Sequence, residues 1–86
     1  MNKRNGTDFF DQPIVEQART LYLEGSFMVA IRYYGYKVNL YLLNGEYIEV
    51  FYNHKEDKIE RIAPLDYTHS RMKFYADQIR ISSVAS

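Results

Sequence analysis

The chain has 86 residues, of which 47% are hydrophobic and 26% are charged. This size allows one domain rather than two independent cores, and the composition is that of a globular protein, not a disordered one. Eleven basic residues balance eleven acidic ones, and cysteine is absent. The charge balance argues against general nucleic-acid binding, which relies on net positive patches. The lack of cysteine excludes disulfides and cysteine-ligated zinc.

The amino-terminal residues carry positive charge, but Asp11 follows directly after Phe9 and Phe10 and no longer apolar run is present. We therefore expect no signal peptide. The chain also lacks the roughly 18 consecutive apolar residues that a membrane span requires. A cysteine-free chain suits a reducing compartment, so we predict a cytoplasmic protein without membrane contact.

Patterning divides the chain into three parts. Residues 1–10 are expected to form a flexible lead-in from which Phe9 and Phe10 dock onto the body. Residues 11–81 form a single α+β domain. Residues 82–86 have no apolar pattern and are expected to be a loose tail.

The first predicted helix covers residues 12–24. Asp11 is expected to cap its amino terminus, with Pro13 in the first turn. Gly25 stands where a left-handed residue ends many helices. The apolar stripe at helical spacing consists of Ile14, Ala18, Leu21 and Tyr22.

Strict alternation of apolar and polar residues from Phe27 to Tyr52 predicts an antiparallel sheet. A two-residue turn at Tyr34-Gly35 would place Tyr33 opposite Tyr36. Continuing this register brings apolar residues together on one side, as cross-strand packing favours. The predicted pairs are Ile31 with Val38, Val29 with Leu40, and Phe27 with Leu42.

The second hairpin contains the dipeptide Asn44-Gly45, which favours a two-residue turn. That turn would pair Leu40 with Glu49 and put a carboxylate on the core side, which is costly without a partner. A three-residue loop over residues 43–45, with a bulge, instead pairs Leu40 with Ile48. We predict the three-residue loop, because the cost of burying a carboxylate exceeds the preference of the dipeptide.

A fourth strand is predicted from Lys58 to Ala63, ended by Pro64. Ile59 and Ile62 have opposite parity in this strand, so it must contain a bulge or be shorter than drawn. The resulting strands form one four-stranded antiparallel sheet.

A second helix follows, capped by Asp66 or Thr68. Its apolar stripe consists of Met72, Tyr75, Ala76 and Ile79. Each helix has one apolar stripe and the sheet has one apolar face. We therefore predict an α+β two-layer sandwich, in which both helices pack on one face of the sheet.

Residue types that carry chemistry do not form a recognisable motif. His54 has no second histidine or cysteine at the spacing of a metal site. A set of His69, Asp66 and a distant acid matches no recurrent metal site. Glu46 and Glu49 are an odd number of residues apart in a strand and so point to opposite faces. We predict no catalytic residue, cofactor or metal. Whether the protein is an enzyme stays open, and a non-enzymatic protein is favoured.

The outer face of the predicted sheet is unusually aromatic. Its residue types, Tyr, Phe, Met and Arg, are enriched at protein interfaces. The alternative is that tyrosine simply favours strands, and both interpretations stay open. The candidate interface consists of Met28, Arg32, Tyr41, Tyr47, Glu49 and Phe51.

The stretch LNGEYIEVFY at residues 43–52, followed by IERI at 59–62, resembles a group of short uncharacterised bacterial proteins. The resemblance covers residues 14–65 and implies a bacterial cytosolic protein. It implies no activity, cofactor or partner.

We expect a non-enzymatic interaction or accessory protein that forms a homodimer through its sheet or binds an unidentified protein partner. One alternative is a nucleic-acid-associated regulator, because the element order matches that of the double-stranded-RNA-binding domain. Arg71 and Lys73 are too few for the basic helix of that domain, however. The other alternative is a small enzyme with a Tyr/Glu/His site in a dimer cleft. A basic cluster in three dimensions would favour the regulator, and a deep pocket lined by Glu49, Tyr47 or His69 would favour the enzyme.

Overall fold

The computed structural model describes the backbone of residues 6–76 and the side chains from Phe9 onward. A four-stranded antiparallel sheet in the order β1-β2-β3-β4 follows two helices, and residues 72–76 are helical again. This arrangement confirms the α+β class. The elements are α1 (Gly6–Asp11), α2 (Ile14–Glu24), β1 (Ser26–Tyr33), β2 (Tyr36–Leu43), β3 (Glu46–Asn53) and β4 (Lys58–Pro64). No helix in this part of the chain is long and apolar enough to cross a membrane.

The first hairpin has the predicted two-residue turn at Tyr34-Gly35. A bulge between Phe27 and Val29 shifts the register at its open end, so Phe27 lies opposite Tyr41 and the predicted pairing with Leu42 is wrong. The confirmed pairs are Tyr33 with Tyr36, Ile31 with Val38, and Val29 with Leu40.

The second hairpin closes through Asn44-Gly45 alone, and the predicted three-residue loop is wrong. Both turn residues have positive φ, 52° and 80°, as a type I′ turn requires. Leu40 therefore lies opposite Glu49 rather than Ile48. The carboxylate does enter the core, and the cost of burying it is offset by partners that come from a distant part of the chain.

β4 is present as predicted, and a bulge resolves the parity of its isoleucines. Phe51 lies opposite Arg61, while the next residue of β3, Tyr52, lies opposite Ile59. Glu60 is therefore the additional residue of the bulge in β4, without a paired residue in β3. This offset lets both Ile59 and Ile62 pack against the same cluster of buried residues.

Both faces of the sheet are covered. β3 has four consecutive buried residues, Ile48 to Phe51, a pattern that needs apolar cover on each side. On one side, here the N-terminal face, the core consists of Phe9, Leu21, Leu43, Ile48 and Val50. On the other side, here the C-terminal face, it consists of Ile31, Val38, Leu40, Phe51 and Tyr75.

The prediction that both helices pack on one face, as a two-layer sandwich, is therefore wrong. Leu21 of α2 packs on the N-terminal face, whereas Tyr75 of the 72–76 helical segment packs on the C-terminal face. The cause is the two-residue turn, which moves Glu49 and its neighbours in β3 to the opposite side from the one predicted.

The helical start of the chain also differs from the prediction. Asp11 ends α1 and does not cap α2, which follows Pro13 without a side-chain cap. Helical structure begins at Gly6, inside the predicted lead-in, and Phe9 docks into the core as expected. The remaining lead-in, residues 1–5, and the predicted tail, residues 82–86, lie outside the described residues, as does Ile79.

Gly25 separates α2 from β1 in an extended conformation, with φ −85° and ψ 168°, so the predicted left-handed cap is wrong. A Cβ at this position would lie only 2.8 Å from the carbonyl oxygen of Leu21. The glycine is therefore required by a close backbone approach rather than by a left-handed turn.

Candidate functional site

The carboxylate of Glu49 is fully buried in β3. Its Oε1 accepts a hydrogen bond from Nη2 of Arg71 at 2.6 Å, and its Oε2 accepts one from Nε of Arg71 at 2.8 Å. The hydroxyl of Tyr75 donates a third bond to Oε2, at 2.8 Å. This bidentate geometry is the strongest form of an arginine–carboxylate pair.

Both partners of Glu49 have raised pKa values. The hydrogen bonds to Glu49 raise the pKa of the Arg71 guanidinium above its ordinary value. Burial, and then the hydrogen bond to Glu49, raise the pKa of the Tyr75 hydroxyl. Tyr75 therefore stays protonated and acts as a donor, while Arg71 stays charged.

The chain between β4 and the 72–76 helical segment presents Arg71 to the sheet. Oδ1 of Asp66 accepts hydrogen bonds from the backbone N–H and the hydroxyl of Thr68, which lower the pKa of Asp66. Further along this segment, Nδ1 of His69 accepts a hydrogen bond from the backbone N–H of Arg71 at 3.1 Å. Asp66 or Thr68 was predicted to cap the second helix, and in the structure the two residues hydrogen-bond each other in the turn before the helical segment.

A cavity of about 370 Å³ lies beside Arg71 on the C-terminal face and is partly open to solvent. Its aromatic walls are Tyr33, Tyr36 and Phe51, and its polar groups are Glu60, Arg61, His69 and Arg71. We call this the C-face pocket. The guanidinium carbons of Arg71 and Arg61 lie 5.0 Å and 5.4 Å from the centroid of the Phe51 ring, within cation–π distance.

The carboxylate of Glu60 is held at the edge of this pocket. Its Oε1 accepts a hydrogen bond from the hydroxyl of Tyr36 at 2.8 Å, and its Oε2 accepts one from Nδ2 of Asn53 at 2.7 Å. The bond from Tyr36, followed by that from Asn53, lowers the pKa of Glu60. Glu60 is therefore held as an anion at the edge of the pocket.

This charge balance bears on two of the functional hypotheses. Arg61 and Arg71 lie over the same Phe51 ring. Arg71 is paired with Glu49, however, and Glu60 also lines the pocket, so the two arginines do not form the basic cluster expected of a regulator. The pocket is lined by His69, as the enzyme hypothesis requires, but by neither Glu49 nor Tyr47. Both hypotheses stay predictions.

The histidines have no metal-site setting in the described part of the chain. His54 is exposed in the β3–β4 turn, with its ring 5.3 Å from that of Tyr52. His69 is partly buried at the pocket. Across residues 6–76, no group of three or more His, Cys, Asp or Glu side chains could hold a metal ion.

The second feature is a set of exposed apolar side chains on α2 and at the start of β1. Tyr22 and Leu23 are 81% and 68% exposed near the end of α2, and Phe27 and Met28 are 57% and 45% exposed at the start of β1. Val15, which lies two turns before Tyr22 on the same side of the helix, is also exposed. We call these five residues the corner surface.

The six candidate interface residues do not form one patch. Tyr47, Glu49 and Phe51 share a side of β3 and belong to the C-terminal face, where Glu49 and Phe51 are buried and Tyr47 is partly buried. Tyr41 packs instead against the core of the N-terminal face. Arg32 and Met28 are exposed on β1, and only Met28 belongs to the corner surface.

Sequence reasoning did not find the Glu49–Arg71–Tyr75 group. A signal was present, because Arg71 and Tyr75 are four residues apart in a predicted helix and so project from one side of it. The Asn44-Gly45 turn directs Glu49 inward, and a buried carboxylate needs a cation. The two observations together point to this pairing.

In comparisons with known proteins, the chain matches no family model, no curated protein and no solved structure.

Proposed function

We propose that this chain is a small, non-enzymatic interaction protein that acts as a homodimer assembled through the corner surface. The observation that carries the proposal is the exposure of two aromatic and three aliphatic side chains on α2 and at the start of β1, in an 86-residue domain. Exposed apolar groups of this kind mark contact surfaces, and each Å² removed from water contributes about 25 cal/mol.

The corner surface suits a second copy of the same chain. Around a two-fold axis, each apolar residue contributes to the interface in both subunits, so one substitution is felt twice. Tyr22 and Phe27 are the aromatic types that dominate binding energy at interfaces. The formal net charge is zero, so two copies do not repel one another strongly.

Side-chain packing is a better basis for this dimer than strand pairing. β1 is an edge strand, but the bulge between Phe27 and Val29 interrupts its regular geometry. Bulges in edge strands disfavour the addition of another strand. The outer aromatic sheet face first expected to form the dimer is not the basis either, because Glu49 and Phe51 are buried.

We further propose that this assembly is cytoplasmic. The support is the cysteine-free composition, which is compatible with a reducing compartment.

Light scattering at micromolar concentration tests the proposal. Tyr22→Lys places a cation in the corner surface, at the end of a helix that tolerates positive charge. The wild-type protein should have the mass of a dimer and Tyr22→Lys that of a monomer, with unchanged circular dichroism. Phe27→Lys should act in the same way.

Tyr34→Lys is the matched control. Tyr34 is 89% exposed in the turn of the first hairpin and lies outside the corner surface. This variant introduces the same charge in place of the same residue type and should stay dimeric. A monomeric wild-type protein, or a Tyr22→Lys variant that stays dimeric, would contradict the proposal.

A further inference from the structure

We infer that the C-face pocket is a binding site for a small aromatic carboxylate. This site is separate from the corner surface and does not depend on dimer formation. The inference rests on hydrogen-bond donors of Arg71, His69 and Arg61 that meet at an aromatic cavity.

Arg71 supplies fixed donors. Of its five N–H groups, one on Nε and one on Nη2 donate to Glu49. The guanidinium has three further N–H groups and borders the pocket. Because Glu49 already holds this side chain in one orientation, a ligand would not need to order it on binding.

His69 supplies a neutral donor. Its Nδ1 accepts the backbone N–H of Arg71, so the hydrogen of the neutral imidazole is on Nε2. A histidine in this tautomer can donate from Nε2 to a carboxylate oxygen. The same hydrogen bond links the positions of His69 and Arg71.

Arg61 supplies the second guanidinium. It comes from edge strand β4 and lies over the ring of Phe51, as Arg71 does. Two guanidinium groups held against one ring create a local site for a planar anion, since arginine matches carboxylate geometry in a bidentate manner.

The remaining lining residues favour a ligand with an aromatic ring and a single negative charge. Tyr33 and Tyr36 offer aromatic surfaces for a ring, and about 370 Å³ is within the size of small-molecule pockets. Glu60 repels additional negative charge, and its bonds to Tyr36 and Asn53 keep it at the edge of the pocket. A ligand with one negative charge fits better than a doubly charged phosphate or a nucleic-acid backbone.

Benzoate is a suitable probe, with affinity measured by two-dimensional ¹H–¹⁵N NMR titration of the full chain. We expect saturable shifts at the amides of Arg61, His69 and Arg71. Benzamide, which has the same ring without the charge, should bind at least tenfold more weakly, as loss of a charge-assisted hydrogen bond predicts. Phenyl phosphate should bind more weakly than benzoate, because Glu60 opposes its second charge.

Arg61→Gln tests the donors without touching the buried Arg71–Glu49 pair, and it should weaken benzoate binding roughly tenfold. Lys55→Gln is the matched control, because Lys55 is an exposed cation in the β3–β4 turn, outside the pocket lining, and it should leave the affinity unchanged. Equal binding of benzoate and benzamide, tighter binding of phenyl phosphate, or an Arg61→Gln variant with wild-type affinity would overturn the inference. Shifts confined to other surfaces, or no saturation at millimolar benzoate, would also overturn it.

Discussion

Glu49 and Arg71, which are 22 residues apart in the chain, form a bidentate ion pair that is buried on the C-terminal face of the sheet. Glu49 belongs to a central strand, and Arg71 comes from the segment that follows the sheet. The pair therefore fixes the carboxyl-terminal cover to the strands. It also sets the orientation of the guanidinium that borders the C-face pocket.

We expect the two members of this pair to be strongly coupled in stability. Arg71→Met leaves a buried carboxylate without its cation, and Glu49→Met leaves a buried cation without its anion, so each should cost about 3–5 kcal/mol of unfolding free energy. The double variant removes both charges and should cost much less than the sum. Urea denaturation of all four proteins measures this difference, and additive effects would show that the pair contributes no coupling.

The turn that directs Glu49 inward gives a second prediction. Gly45 has a φ of 80°, in the left-handed region, so Gly45→Ala should destabilise the protein by about 1–2 kcal/mol. Gly35→Ala is the control, because Gly35 is not left-handed and an added Cβ meets nothing within 4 Å. Denaturation that ranks the two variants equally would contradict the assigned turn.

This turn also shows what the sequence could predict. Local patterns correctly indicated four strands and the first turn, because each depends on neighbouring residues. They also left a bulge as one of two ways to reconcile Ile59 with Ile62. At Asn44-Gly45 two rules conflicted, the turn preference of the dipeptide and the cost of burying Glu49. The choice failed because the compensating cation, Arg71, is distant in the chain and becomes a neighbour only in the folded protein.

The candidate sites were less predictable than the fold. One error in register moved Tyr47, Glu49 and Phe51 to the wrong face, so residues of two different faces were grouped as one interface. The C-face pocket combines side chains of five separate segments, from Tyr33 to Arg71, and no local spacing indicates such a group. The exposure of Tyr22 was also missed, because helical spacing alone placed it in the buried stripe.

The hydrogen bond between Tyr36 and Glu60 predicts a pH effect. This hydrogen bond is the largest contribution to the lowered pKa of Glu60. A carboxylate with a lowered folded pKa contributes stability at pH values above its unfolded pKa, and this contribution is lost as the pH falls through the folded pKa. Tyr36→Phe should therefore raise the pKa of Glu60 toward its ordinary value and reduce the loss of stability in acid.

Carboxyl-carbon NMR titration measures this pKa directly. Tyr52→Phe is the matched control, since the hydroxyl of Tyr52 donates to Asp57 and not to Glu60. This control should leave the pKa of Glu60 unchanged. An unaltered pKa in Tyr36→Phe would refute the assigned cause.

The most direct test of self-association through the corner surface is an isotope-filtered NOE experiment on a mixture of labelled and unlabelled protein. The filter detects only contacts between two copies of the chain. We predict intermolecular cross-peaks that join the side chains of Val15, Tyr22 and Leu23 to those of Phe27 and Met28. Intermolecular cross-peaks confined to other surfaces, or none at concentrations where the protein should be dimeric, would contradict the proposed homodimer.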